Sequence, residues 1–415
     1  MSKIAIIGSG ISGLSCAYLL GREHEVTVFE AGDYIGGHTA TVDIELDGEQ
    51  HAVDTGFIVY NDHTYPNFIK ILDQIGIASR ATEMSFSVQH TGSGIEYNGN
   101  NIASLFAQRG NLLSPRFYQF ISEILRFNRI CKRSLQGRHT STAATLGEFL
   151  ESENFSDFFA QHYILPMVAA IWSASLKASK EFPFEFFLRF FDNHGLLNVV
   201  DRPQWFVIEG GSRSYIPKLL SHCHDVRLNT PVTRINRNSN GVCIETSGSQ
   251  ENFDEVIIAC HSDQALSILA DASNAEQEVL GKIRYRNNEV ILHTDETLLP
   301  RTQRAWASWN FYHDDQPESA PSVTYNMNIL QGLQSNNTFC VTLNRGELVN
   351  PDKILRRFNY AHPVYDEDTL QAQARRSDIC GKNHTHFCGA YWYNGFHEDG
   401  VNSALDVCRR FGVTL

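Results

Sequence analysis

Residues 3–30 read KIAIIGSGISGLSCAYLLGREHEVTVFE, and the fold turns on this stretch. Lys3 to Ile7 is a short apolar run, the pattern of a central parallel strand buried on both faces. A helix is predicted at once over 11–21, with Leu14, Ala17, Tyr18 and Leu20 facing inward. Val26 to Glu30 forms a second strand, so the stretch is one β-α-β unit with a crossover of about the minimum length. Between first strand and helix lies Gly8-Ser9-Gly10-Ile11-Ser12-Gly13. Gly8 allows the tight turn, Gly10 lets the backbone approach a pyrophosphate with no Cβ in the way, and Gly13 lets the helix pack closely on the strand. The helix N-terminus offers free N–H groups and a partial positive charge. Glu30 ends the second strand, 22 residues after Gly8. Its carboxylate is placed to accept hydrogen bonds from an adenosine ribose and would repel a 2′-phosphate. Glycines, helix and acid at this interval point to a bound dinucleotide; a glycine turn that binds nothing would not need the acid.

The rest of the composition sets limits. A chain of 415 residues with 42% hydrophobic and 20% charged residues is an ordinary globular one, large enough for two intergrown domains. Its 34 Lys and Arg against 47 Asp and Glu leave a net charge of −13. That surplus disfavours a nucleic-acid footprint, which needs clustered positive charge, and general attraction to anionic lipid, though a local patch escapes the average. Nine cysteines, with no CxxC and several inside apolar runs, fit reduced thiols used as small hydrophobes. MSKIAIIGSG lacks the apolar core and cleavage site of a signal peptide, and no uncharged apolar stretch reaches the roughly 18 residues of a membrane helix. A cytoplasmic protein without a transmembrane segment is expected.

Further along, 64–76 reads as a helix capped by Thr64, with Pro66 in its first turn and Gly76 as its stop. Short alternating strands (MSFSVQ, GIEYNG) give way to helical stretches near 115–135 and 143–174, then to the Phe-rich run EFPFEFFLRFF at 181–191. Strands return between 205 and 261, including an Asn-Gly hairpin at 240–241. Strand candidates continue to 375, and a strand and a helix fill the last forty residues.

The stretch VTVFEAGDYIGGHTAT (26–41) resembles the extended nucleotide-binding signature of the flavin-containing amine oxidases, protoporphyrinogen oxidases and phytoene desaturases. After Glu30 and Ala31 comes the pair Gly36-Gly37, then His38 where those families usually have arginine, then Thr39. Val53-Asp54-Thr55-Gly56-Phe57 resembles the family segment that passes near the flavin ring, here through Gly56 and Phe57. PQWFVIEGGSRSYIPKL (203–219) is similar to the family's apolar-Gly-Gly turn and following helix. PVTRI (231–235) is similar to the strand whose valine meets the adenine, which suggests Val232. Cys388-Gly389-Ala390 and Gly395-Phe396-His397-Glu398-Asp399-Gly400-Val401 resemble the second FAD motif, in which a helix N-terminus points at the flavin's pyrimidine edge. The family often has an acid where Ala390 stands, and Asp399-Gly400 replaces a more usual Gly-Ala. The resemblance covers about half the chain.

It implies an α/β fold: a Rossmann-like FAD-binding domain from 1–75, 205–265 and 376–415, intergrown with a mixed-sheet and helical substrate domain from 76–204 and 266–375. The cofactor implied is FAD, held non-covalently. Cys388 stands close to where some relatives attach flavin through cysteine, but a place in the strand fits that poorly. No second GxGxxG follows a strand, and Gly92-Ser93-Gly94 reads as a hairpin loop, so electrons are expected to pass between flavin and substrate without an NAD(P)H domain.

Other clusters have plainer readings. Cys380, His384, His386 and Cys388 lie at ligand-like density, but three of them on one strand face is no usual zinc arrangement. His222-Cys223-His224 reads as surface. The phenylalanines of 181–191, with Phe155, Phe158, Phe159 and Trp172, read as helix core, or as an apolar tunnel or lipid-facing surface for a long substrate. Trp172, Tyr391 and Trp392 are the candidate pocket residues, with Tyr393 beside them. No residue stands out as a general base, as expected where the cofactor carries the chemistry. The function expected is flavin-dependent oxidation, reduction or isomerisation at a C–C or C–N bond of a small, hydrophobic, fatty acyl or isoprenoid-like substrate. An amine oxidase releasing hydrogen peroxide is the alternative within the superfamily. A structural or regulatory flavoprotein partner of a lipid-modifying enzyme is the alternative outside enzymology.

Overall fold

Lys3–Ile7 (β1) forms an interior strand in which Ile4, Ala5 and Ile6 expose no surface. The computed structural model describes residues 1–139, 141–172, 174–199, 201–313 and 322–415. They form two compact units. The first comprises Met1–Arg80, Phe206–Arg286 and Pro363–Leu415; the second comprises Ala81–Trp205 and Asn287–His362.

In the first unit β1 is followed by Ile11–Leu20 (α1) and Glu25–Phe29 (β2), the β-α-β unit expected. Pro66–Ile75 (α2), Asp225–Arg227 (β3), Glu255–Ile258 (β4), Thr385–Phe387 (β5) and His397–Arg410 (α3) complete the framework. The strands form one sheet in the order β3-β2-β1-β4-β5, and every pairing in it is parallel. All ten residues of α1 are buried, so the helix has no polar face. Its small residues Gly13, Ser15, Cys16 and Ala17 let sheet and α3 approach from different sides.

Two local expectations are corrected. Thr64 does not cap α2: the N-cap is Tyr65, which makes no side-chain cap. Thr64 instead donates its N–H (2.8 Å) and hydroxyl (3.1 Å) to Asn61 Oδ1. The free amides of α2 find their acceptor far along the chain, where Glu398 takes the N–H groups of Asn67 (3.0 Å) and Phe68 (2.8 Å). Gly76 ends the helix as expected, in the left-handed conformation at φ 65°. The second correction is one of register. The hairpin between Val232–Asn238 and Gly241–Thr246 turns on Ser239 and Asn240, with Asn238 opposite Gly241. Gly241 therefore opens the second strand instead of sitting in the turn.

The second unit contains a seven-stranded mixed sheet. Phe86–His90 and Ile95–Asn98 pair in it as a hairpin whose turn holds Gly92-Ser93-Gly94. Pro115–Leu135 is a single helix of 21 residues. The stretch read as helical over 143–174 is broken into Leu146–Ser152, Asp157–Phe159, a π turn at Ala160–Ile164, and Leu165–Trp172; its residue 173 lies outside the described residues. Phe182, Phe184, Phe187, Phe190 and Phe191 are buried. Phe127 packs edge-on against Phe149, Phe155 and Phe187, and Phe149 stacks on Phe184 at 4.1 Å. The Phe-rich run is thus the core of the helical layer. Among the described residues no helix is long and apolar enough to cross a membrane.

Candidate cofactor site

The glycines after β1 meet three separate demands. A Cβ on Gly8, which has φ 103°, would lie 3.1 Å from the backbone of Ala259 and Cys260 just beyond β4. A Cβ on Gly13 would lie 2.0 Å from the Gly8 carbonyl oxygen. A Cβ on Gly10 would meet nothing within 4 Å among the described residues. Two glycines are filled against protein and the middle one faces open space, the division of labour a bound pyrophosphate requires.

Around that space the loops are tied to one another. Glu30 accepts the N–H of Ser9 (3.0 Å) and of Gly32 (2.8 Å), and takes the Ser9 hydroxyl as well. Ser9 Oγ accepts from the Gly36 N–H at 3.1 Å. Gly37 lies against Gly10, to whose Cα a Cβ at 37 would come within 3.2 Å. A carboxylate has about four lone-pair sites, so Glu30 keeps capacity for ribose hydroxyls. Ala31 is exposed beside it. Val232 follows closely on Thr230, whose N–H donates to the Glu30 carbonyl at 2.9 Å. The backbone leading to Val232 is therefore anchored at Glu30.

The second motif arrives from the C-terminal residues. Ser12 Oγ donates to the Gly400 carbonyl at 3.0 Å, and a Cβ on Gly400 would reach 2.6 Å from Ile11 Cγ2. Glycine at 400 thus lets the first turns of α1 and α3 lie side by side, with Val401 fully buried behind it. Two adjacent helix N-termini concentrate partial positive charge, the electrostatics of an anion site. Gly389 donates its N–H to Ser403 Oγ at 2.8 Å, and a Cβ there would strike the Tyr391 ring. Ala390 opens the turn that carries Tyr391 and Trp392. Both aromatics are buried, and among the described residues Tyr391 OH and Trp392 Nε1 have no hydrogen-bond partner. Such unspent donors call for a ligand.

Two expected contacts are engaged within the protein. Glu398 serves α2, as described above. Asp399 accepts the Phe396 N–H at 2.8 Å, capping its own helix, and burial pushes its carboxyl up to about 7. Trp172 belongs to the second unit, against Phe182 at 4.4 Å and Phe190 at 4.6 Å.

Beside these motifs Thr39, expected at the cofactor, joins a polar row whose other members, Tyr215 and His397, the sequence reading did not single out. Tyr215 pairs through its hydroxyl with Thr39 Oγ1 and, at 2.6 Å, with His397 Nε2. Phe57 stacks on the His397 ring at 3.6 Å. Burial holds the His397 imidazole well below its usual pKa, so the ring is neutral. Gly56 sits where a Cβ would come 2.2 Å from the His38 carbonyl, and the Phe57 N–H donates to that oxygen at 2.6 Å. Asp54 is fully buried and accepts from Thr41 Oγ1 (2.6 Å) and from the N–H and hydroxyl of Ser212 (both 2.9 Å). Burial raises its carboxyl to about 6 despite these donors. The clue lay in the quoted segments: polar Ser212 and Tyr215 beside a Gly-Gly turn, and His397 opening a helix. Elsewhere, His384 and His386 both turn to Glu255, at 3.1 and 3.3 Å.

An open Gly10, two abutting helix N-termini, an acid at the end of β2 and unspent donors at Tyr391 and Trp392 fit a flavin dinucleotide. In sequence, 34% of 87 residues are identical to the 15-cis-phytoene desaturase of Synechococcus elongatus, a match covering 21% of this chain and 18% of that protein. The chain thus matches less than a fifth of that relative's length. In fold, it matches the CLA-producing fatty acid isomerase from P. acnes with a TM-score of 0.71 at 17% identity, over 99% of this chain and 98% of that one. Cyclohexylamine oxidase from Brevibacterium oxydans IH-35A gives a TM-score of 0.69 at 15% identity, over 99% of both chains. The family model of flavin containing amine oxidoreductases matches residues 11–328. That family consists of oxidoreductases and implies a flavin as cofactor. With the match spanning most of its length, the chain belongs to the flavin-containing amine oxidoreductase family.

Proposed function

We propose that the chain holds FAD without a covalent bond in its first unit and uses it on a C–C or C–N bond of a small hydrophobic substrate, fatty acyl or isoprenoid-like. The observation that carries the reading is the contact of α1 and α3 at Ser12 and Gly400, with Gly10 open before it. The two helix ends would receive the diphosphate and Glu30 the ribose hydroxyls. Cys388 is fully buried, which supports non-covalent binding. When bound, FAD supplies two-electron hydride chemistry through its N5. The protein's part is placement. Tyr215 fixes the His397 ring, Phe57 covers it, and its neutral state spares the site a buried cation. A hydrophobic substrate is supported by the short sequence match to a phytoene desaturase and by the fold shared with a fatty acid isomerase.

The family match favours one second reading, amine oxidation with release of hydrogen peroxide. Anaerobic titration of the purified protein separates the two. Bleaching of the flavin absorbance by unsaturated lipid and not by amines is the expected result. Bleaching by amines alone, with peroxide formed on admitting oxygen, hands the protein to the second reading. A colourless protein that refuses added FAD overturns both.

A further inference from the structure

The Phe-rich run is buried, so any contact with lipid must come from another surface. Apart from the terminal Met1, the most exposed large hydrophobic side chains among the described residues lie in the second unit, close together in sequence: Leu113 is 89% and Ile102 78% exposed, and Leu112, Tyr118 and Leu125 are exposed as well. The group is held in shape. Tyr118 OH donates to the Leu112 carbonyl at 3.0 Å, and the Phe106 ring bridges Phe117 and Tyr118 at 5.4 and 5.8 Å. Ser114 caps the helix Pro115–Leu135 that follows.

That helix has a second face. Phe117, Phe120, Phe127 and Cys131 point into the core. Tyr118, Leu125, Arg129 and Arg133 are exposed at spacings of a helical stripe. Charge follows the same segment. Residues 98–139 hold seven basic residues, Arg109, Arg116, Arg126, Arg129, Lys132, Arg133 and Arg138, against one acid, Glu123. The whole chain carries −13, so this basic excess stands out against an acidic protein. Glu123 is buried and accepts the N–H of Ser156 at 2.9 Å, leaving the outward charge positive.

We propose that residues 102–133 form a peripheral docking surface for an anionic lipid bilayer. Ile102, Leu112 and Leu113 would enter the interface, and Arg129 and Arg133 would lie over the headgroups. Exposed aliphatic tips beside a basic helix face are what an interfacial contact needs. The apolar part supplies partitioning, and the charge supplies attraction and preference for anionic lipid. A protein of net negative charge is otherwise repelled by such a surface, so the strip fixes which face approaches it.

Co-sedimentation of the full-length protein with vesicles of phosphatidylglycerol and phosphatidylcholine, or phosphatidylcholine alone, tests this without any turnover. The proposal therefore stands or falls apart from the choice of substrate. Strong binding to the anionic vesicles at low salt is expected, weakening at high salt and on zwitterionic vesicles. The pair Ile102→Asp and Leu113→Asp, and separately Arg129→Glu with Arg133→Glu, should each weaken binding on the order of tenfold. All four sites are exposed, so melting temperature and flavin absorbance should match the wild type. Wild-type protein that stays in solution with anionic vesicles at low salt overturns the proposal. So does binding that both variant pairs leave intact. A wild-type dimer abolished by the Asp pair would assign the patch to a second copy of the chain and overturn it equally.

Discussion

A Cβ at Gly13 would lie 2.0 Å from the Gly8 carbonyl, closer than any relaxation of one side chain can relieve, because both parties are backbone. Gly13→Ala should therefore displace α1 from the turn and cost at least the 1–3 kcal/mol typical of overpacking. The expected outcome is a protein with a lowered melting temperature that is purified without flavin. Asp54 makes a different kind of prediction. Its folded-state carboxyl sits at about 6, above the value near 3.8 of a free side chain. A raised carboxyl means that the folded state binds the proton more tightly than the unfolded one. Stability from this site is thus gained as pH falls through about 6 and lost as it rises, at about 1.4 kcal/mol per pH unit across the window between the two values. Asp54→Asn removes that dependence while keeping an acceptor for Ser212. Denaturant unfolding at pH 7.5 and pH 5 should show the wild type gaining about 1.4 kcal/mol on the variant at the lower pH. Equal gaps at both values would place the titration elsewhere. The glycines of the first motif were legible at this scale because a missing Cβ is a local fact. The Thr39–Tyr215–His397 row was not, because its members come from three distant stretches and nothing in their spacing joins them.

At the scale of elements, helix ends proved the least local feature. Pro66 and Gly76 mark α2 correctly from sequence, yet its amides are capped by Glu398, 331 residues beyond Asn67. Glu398→Ala should leave two buried-end N–H groups without an acceptor, a loss of about 1–3 kcal/mol in urea unfolding, while Glu398→Gln recovers part of it. A melt unchanged by the alanine would mean that water replaces the carboxylate. The Phe-rich helix Phe184–Asn193 reads from sequence as core first and as tunnel second, since an apolar face says only that something apolar covers it. The packed rings of Phe127, Phe149, Phe184 and Phe187 supplied the cover.

For the molecule as a whole, order along the chain and order in the sheet diverge. β1 and β2 lie within the first thirty residues, while β3, β4 and β5 come after residue 220. β1 and β2 are flanked by strands that the N-terminal stretch does not contain. A fragment ending at Arg80 keeps the whole GxGxxG motif but lacks α3 and three of the five strands. It should show no cooperative melt by circular dichroism and take up no FAD; a yellow, folded fragment would mean that the motif is self-sufficient. The sequence by itself determined the β-α-β unit, the glycines of the first motif and the acid at its proper interval. These depend on short-range sterics and on periodicity, which a window of thirty residues contains. It also located the second motif, though only through likeness to a family. Only the tertiary structure decided what Glu398, Tyr215 and His397 do, and which of the aromatic stretches is covered. Those are partnerships between groups hundreds of residues apart, and burial, which fixes both their bonds and their proton affinities, exists only once the chain has closed on itself.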